Sequence, residues 1–215
     1  MSKVESSLAA VVVRLTVLED ENNKFREECE ELKIKNAALV RRVNELEDSV
    51  IEQEQYSRVA NLEIRGVPQT EKEDVYAVLE SVAKALKVTF DERDISIAHR
   101  FPAPRNRRFH PVIVVQFARR SVRGEWLAAA KKTRFQMTDL HETFSPGPVF
   151  VNEHLTLHTK DLLWRCKTKV KDGSLAYAWC KDGKVFVRHT EKSRAIRVYR
   201  SVEEIDREQS PGHGK

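Results

Sequence analysis

Four arginines, Arg100, Arg105, Arg107 and Arg108, fall within nine residues of the stretch RFPAPRNRRFHPVIVVQF. A guanidinium presents five donors in a planar fork that matches phosphate oxygens, and it stays charged at any pH a protein meets. Such crowding against an apolar run suits the binding of a polyanion better than acid–base work. The ordinary alternative is a solvated loop whose charge discourages edge pairing. Further cations repeat the pattern. Arg119, Arg120 and Arg123 open the helical stretch RRSVRGEWLAAAKK, where a helix dipole disfavours them unless an anion binds there. Lys131 and Lys132 close that stretch, with Arg134 beyond, where the dipole already favours cations. Arg65 sits on the first predicted strand, and Arg165, Lys184 and Arg188 lie further along.

These cations are concentrated. The 215-residue chain carries a net charge of +5, yet residues 100–200 hold 22 Lys and Arg against 8 Asp and Glu. Every other part of the chain is net acidic. One strongly basic region in an otherwise acidic chain predicts a polyanionic partner. Other chemistries find no support. Cys29, Cys166 and Cys180 are far apart and form no CxxC pair, which suits a reducing compartment. His154 and His158 stand four apart, but the HExxH pattern and clustered further ligands are absent, so no metal site is expected. No nucleophile elbow, P-loop or dinucleotide fingerprint occurs. The expectation is a protein without catalytic residues or cofactor. No apolar run approaches a membrane span, and MSKVESS carries no basic-then-apolar leader pattern.

Positioning begins with a rod. Residues 8–53 contain neither Gly nor Pro, and apolar residues recur every 3.5 positions. With Leu8 as heptad position a, the a series is Leu8, Leu15, Asn22, Cys29, Asn36, Val43 and Val50. The d series is Val11, Leu18, Phe25, Leu32, Leu39, Leu46 and Gln53. Eleven of these fourteen are apolar, the pattern of a coiled coil. Between parallel copies, the g and e pairs Arg14/Glu19, Glu21/Arg26, Glu28/Lys33 and Arg42/Glu47 are all opposite in sign, so self-association in parallel is expected. RLTVLE and RVNELE place Arg14 and Arg42 before Glu19 and Glu47 in a pattern resembling trimeric coils, where the Arg stem covers the widened seam. Asn22 and Asn36 at a, with Val43 and Leu46, speak for a dimer. The trimer is favoured and the dimer left open.

After the rod the period changes. NLEIRG alternates as a strand, and QTEKEDVYAVLESVAKALKV reads as a helix opened by a Thr70–Glu73 capping box. DISIAHRF and PVIVVQF read as strands, residues 119–132 as a helix and PVFVN as a last strand. In DISIAHRF, Ile95 and Ile97 are expected to face the helices, leaving Arg100 on the open sheet face beside Arg65. The β-α-β-β-α-β order predicts a split βαβ sandwich. A helix over 155–170, a hairpin turning at Asp182-Gly183, a strand AIRVY and a short helix capped by Ser201 and Glu204 complete the chain. The fold class is therefore α+β. Its parts are a coiled-coil rod at 1–60, a split βαβ domain at 61–153, a small α/β domain at 154–207 and a disordered tail at 208–215.

NLEIRGVP, AHRFPAPRNRRFHPVIVVQF and LAAAKK, in that order, resemble the first-open-reading-frame protein of LINE-type retrotransposons. VNEHLTLHTKDLLWRCKTKVK followed by AWCKDGKVFVRH resembles the C-terminal half of the baculovirus few-polyhedra (FP) protein family and its insect, transposon-derived relatives. The resemblance covers about residues 61–200 and implies that the domain at 61–153 is RRM-like and that at 154–207 an FP-like helix and hairpin. It implies homotrimeric binding of single-stranded nucleic acid with chaperone activity, and it implies no catalysis. It also matches Lys131 and Lys132, Arg165, and Lys184 with Arg188 to basic positions of those families. The strand PVIVVQFA lacks the stacking aromatics of a typical RRM, and Glu63 stands on the first strand, so backbone contacts are expected rather than base stacking.

Trp126 and Trp164 read as core residues on helix stripes, and Trp179 as core of the hairpin. The expected protein binds itself and single-stranded RNA or DNA, spans no membrane and resides in the cytoplasm, with the nucleus a second compartment. The rival expectation is a coiled-coil adaptor or virus or host structural factor whose charge is incidental.

Overall fold

The computed structural model describes residues 3–102, 110–198 and 201, with side chains from Ser7 onward. Arg105, Arg107 and Arg108 lie outside the described residues, as do the tail at 208–215 and the expected helix after Ser201. The protein mixes helix and sheet, and it divides into two units, 1–50 and 51–215. No described helix is long and apolar enough to cross a membrane.

The first unit is a single helix. α1 runs from Lys3 to Ser57, uninterrupted because no helix breaker occurs along residues 8–53. Its apolar a and d side chains stand in solvent. Leu8, Val11, Leu15, Leu18, Phe25, Leu32, Leu39, Val43, Leu46 and Val50 are each 48–66% exposed. Charged side chains satisfy one another along the helix. Lys33 Nζ meets Glu30 at 3.1 Å, and Arg42 Nη1 donates to Glu45 Oε2 at 3.2 Å. Exposed pairs of this kind contribute a few tenths of a kcal/mol, about 0.3–0.5.

The second unit begins inside α1. It continues with β1 (Asn61–Arg65), α2 (Val75–Leu86), β2 (Ile95–Arg100), β3 (Ile113–Phe117), α3 (Arg120–Lys132), β4 (Phe135–Gln136) and β5 (Pro148–Glu153). The strands form one antiparallel sheet in the order β2-β3-β1-β5-β4. Strand alternation sends Leu62 and Ile64, Ile113, Val115 and Phe117, and Val149 and Val151 to one face. There Leu79, Val82 and Leu86 of α2 and Trp126 and Leu127 of α3 bury them. Trp126 meets Phe117 edge-on at 5.3 Å, so its expected core role holds. The two-residue strand β4 was not expected. It adds an edge beside β5.

Two local readings are corrected. α2 does not start with a Thr70–Glu73 box. Asp74 is its N-cap and accepts from the Tyr76 N–H at 2.9 Å, because Glu73 is engaged elsewhere. β2 does not alternate throughout. A register shift between Ile95 and Ile97 inserts a bulge, after which Ala98 pairs with Val115 and Arg100 with Ile113. Ile97 is thereby turned to solvent and Arg100 toward the helix side.

The chain then forms α4 (Leu157–Lys171) and a three-stranded sheet, β6 (Tyr177–Lys181), β7 (Lys184–Arg188) and β8 (Ile196–Val198). Thr156 caps α4 by accepting the Thr159 N–H at 3.1 Å. Asp182 and Gly183 both have positive φ, 52° and 72°, as a type I′ hairpin turn demands. Leu162 and Cys166 pack on Leu175, Val185, Val187 and Val198 to make a second, smaller core. Polar clamps join this part to the first sheet. Glu153 at the end of β5 accepts the Gly183 N–H at 2.7 Å and the Asp182 N–H at 3.2 Å. Gln55 donates to the His154 carbonyl and accepts from the Thr156 N–H, so the last turns of α1 belong to this unit.

Candidate nucleic-acid interface

The expected cations have separate fates. Arg100 is not on the open face. Its Nε and Nη2 grip the Glu73 carboxylate at 2.5 and 2.6 Å, and its remaining donors reach the carbonyls of Val67, Pro68 and Pro111. All five donors are used within the protein, with Arg100 6% and Glu73 8% exposed, so none is left for phosphate. The bulge in β2 is the cause. Arg123 is also internal. It is buried on α3 and lies 3.3 Å from Glu153 and 3.5 Å from Asp182, where it helps hold the hairpin turn.

Arg119 and Arg120 are exposed at the start of α3. Arg119 pairs with Asp94, and the Arg120 guanidinium lies 5.1 Å over the Tyr56 ring. Lys131, Lys132 and Arg134 are exposed at the far end of that helix, about 18 Å along its axis. Arg165 pairs with Asp161 one turn away on α4. Lys184 is exposed, and Arg188 lies 5.6 Å over Trp179, which stacks on Phe186 at 5.8 Å. Arg65 shares the buried Glu63 carboxylate with Lys160, each at 2.7 Å.

One groove, of about 1110 Å³, gathers some of these residues. Its walls come from β1, the end of α3, β5, α4 and β6. Arg65, Lys131 and Arg134 line it, joined by Lys160 and Lys167 of α4, which the sequence reading did not single out. Among the described residues Lys131, Arg134 and Lys167 meet no carboxylate, whereas Arg65 and Lys160 divide the charge of Glu63 between them. Lys132, Arg119, Arg120, Arg165, Lys184 and Arg188 stand outside the groove lining. A signal for Lys167 was present in the sequence. Leu157, Lys160, Asp161, Trp164 and Lys167 recur at helical spacing and share one face of α4, opposite the Leu162–Cys166 stripe. Trp164 therefore belongs to the groove. It is 65% exposed, not core, because it sits two positions from Leu162 and so on the other side of the helix.

Burial disfavours the charged forms of Cys180, Cys166 and His154. Burial, reinforced by Glu153, pushes the Cys180 thiol up to about 12, and burial pushes Cys166 up to about 11. Neither is a thiolate nucleophile at neutral pH. Burial, with Arg58 beside the ring, lowers the pKa of His154. Arg58 Nη1 lies 3.4 Å from its Nε2 and Asn61 lies 3.3 Å from its Nδ1. Arg58 can only donate, so Nε2 accepts and Nδ1 carries the proton. Turning the Asn61 amide would give that proton the otherwise unpartnered Oδ1. His154 precedes the N-cap of α4, so His154 and His158 are not one turn apart on a helix.

A helical segment followed by two small α/β parts that enclose a basic groove defines the class of molecule. Protein-family comparison agrees with that division. Baculovirus FP protein domain 1 matches residues 59–151, and Baculovirus FP protein domain 2 matches residues 156–207. The chain belongs to the baculovirus FP protein family. No curated protein sequence matches it significantly.

Proposed function

We propose that the protein is a non-enzymatic, self-associating nucleic-acid-binding protein. Its groove holds a single strand of RNA or DNA chiefly through phosphates. The observation that carries this reading is the convergence of Lys131 and Arg134, at the end of α3, with Lys167 of α4 onto one groove, each exposed and meeting no carboxylate among the described residues. Cations set in a groove attract a polyanion, and phosphates bound there release condensed counterions. The sheet of residues 61–153 is read as RRM-like, and the likeness to LINE-type first-open-reading-frame proteins belongs to this proposal.

The rod is read as a parallel coiled coil, a homotrimer with the dimer as alternative. Its exposed apolar seam supports self-association, since each large aliphatic side chain gains about 1.5–3 kcal/mol on full burial. Several weak grooves on one particle raise apparent affinity without new contacts, which suits strand coating and chaperone work in the cytoplasm or nucleus. A second reading, the protein-binding adaptor, is favoured by the structural use of Arg100 and Arg123. Titrating the full chain with a mixed-sequence single strand across a salt series separates the two. Binding that weakens steeply with salt supports the first, and absence of binding at low salt supports the adaptor.

A further inference from the structure

Two aromatic rings lie exposed in the groove. Trp164 is 65% and Phe150 53% exposed, although neither sits on a core-facing position. Each has a cation nearby in the fold. Phe150 is the cross-strand partner of Arg65, and Trp164 is one turn from Lys167 on the same face of α4. A large ring left in water beside a phosphate-seeking cation is the arrangement by which proteins hold unpaired nucleotides, the base on the ring and the phosphate on the charge.

We propose that Trp164, seconded by Phe150, stacks on unpaired bases and makes the groove selective for single strands over duplex. This rests on the single-strand reading of the groove and adds to it the residues that contact the bases. A duplex keeps its base faces stacked on one another and presents its backbone, so it can engage Lys131, Arg134 and Lys167 but not the rings. A single strand engages both. The expected backbone-only binding, drawn from the missing aromatics of the central strand, is thereby supplemented by rings from β5 and α4. Stacking of this kind tolerates any base, because every base has a π face.

The test uses the full chain, a 30-nucleotide mixed-sequence DNA strand, its duplex, and an abasic strand with the same backbone. Trp164→Ala and Trp164→Phe are compared with wild type, and circular dichroism checks folding, which an exposed side chain should not disturb. Wild type should prefer the normal strand to the abasic one. Trp164→Ala should weaken binding of the normal strand by about tenfold or more, and Trp164→Phe should recover most of the loss. The change should spare the abasic strand and the duplex, and it should leave the salt slope intact because no phosphate contact is removed. A wild type that binds all three probes alike, or a Trp164→Ala loss shared equally by strand and duplex, overturns the stacking role while leaving the phosphate groove standing. A wild type that binds none at low salt overturns the groove reading and this inference together.

Discussion

Arg100 and Glu73 close on each other as a fork on a carboxylate, Nε to Oε1 at 2.5 Å and Nη2 to Oε2 at 2.6 Å. The pair ties β2 to the segment leading into α2, and three carbonyls complete the guanidinium's bonding. Arg100→Ala should therefore cost about 3–5 kcal/mol of folding stability, since it strands a buried carboxylate. Removing Glu73 as well should cost less than the sum of the single changes. Urea denaturation of the three variants measures this. Additive losses would mean that the two residues act independently.

His154 makes folding sensitive to acid. Its folded pKa lies below the ordinary 6.5, so between those two values the unfolded chain binds the extra proton. The stability tied to its neutral ring is fully present above about pH 6.5 and declines as pH falls toward the folded value, by at most about 1.4 kcal/mol per pH unit. His154→Asn should flatten that part of a stability–pH curve. An unchanged curve would assign the acid sensitivity to other groups.

The two parallel-coil expectations separate cleanly in the full chain. With Cys29 changed to Ser, Leu8→Cys should form interchain disulfides under mild oxidation, because only a parallel in-register seam brings the Leu8 positions together. Cys166 and Cys180, held protonated, should contribute little. Sedimentation equilibrium then gives the number of chains, three if the Arg14 and Arg42 pattern governs. Replacing both arginines by Ala should shift that mass downward. A monomer at tens of micromolar would end the coiled-coil reading.

Legibility followed how local each signal was. The Asp182-Gly183 turn was readable because positive φ at two successive residues is a local demand with few solutions. The β-α-β-β-α-β order in 61–153 was readable from periodicity and residue propensity, but the two-residue strand β4 was not, being too short to show any period. The direction of Arg100 was not, since one extra residue in β2 reverses every later side chain and the bulge depends on pairing with β3. Trp164 was misplaced for a different reason. α4 carries two faces, and which of them is buried is decided by β6 and β7, more than ten residues downstream. The groove itself joins residues nearly a hundred positions apart, Arg65 and Lys160 among them, through the shared carboxylate of Glu63. No spacing in the sequence announces such a meeting.

Phosphate binding by the groove is measured most directly by the slope of log K against log salt, for the full chain and for Lys131→Ala, Arg134→Ala and Lys167→Ala combined. All three side chains are exposed at the groove and meet no carboxylate among the described residues, so folding should change by no more than about 0.5 kcal/mol. Each phosphate contact on a single strand contributes roughly 0.7 to the slope, so the triple variant should lose about 2 units and bind every sequence more weakly. A folded triple variant with unchanged affinity and unchanged slope would contradict the groove as the site of nucleic-acid binding.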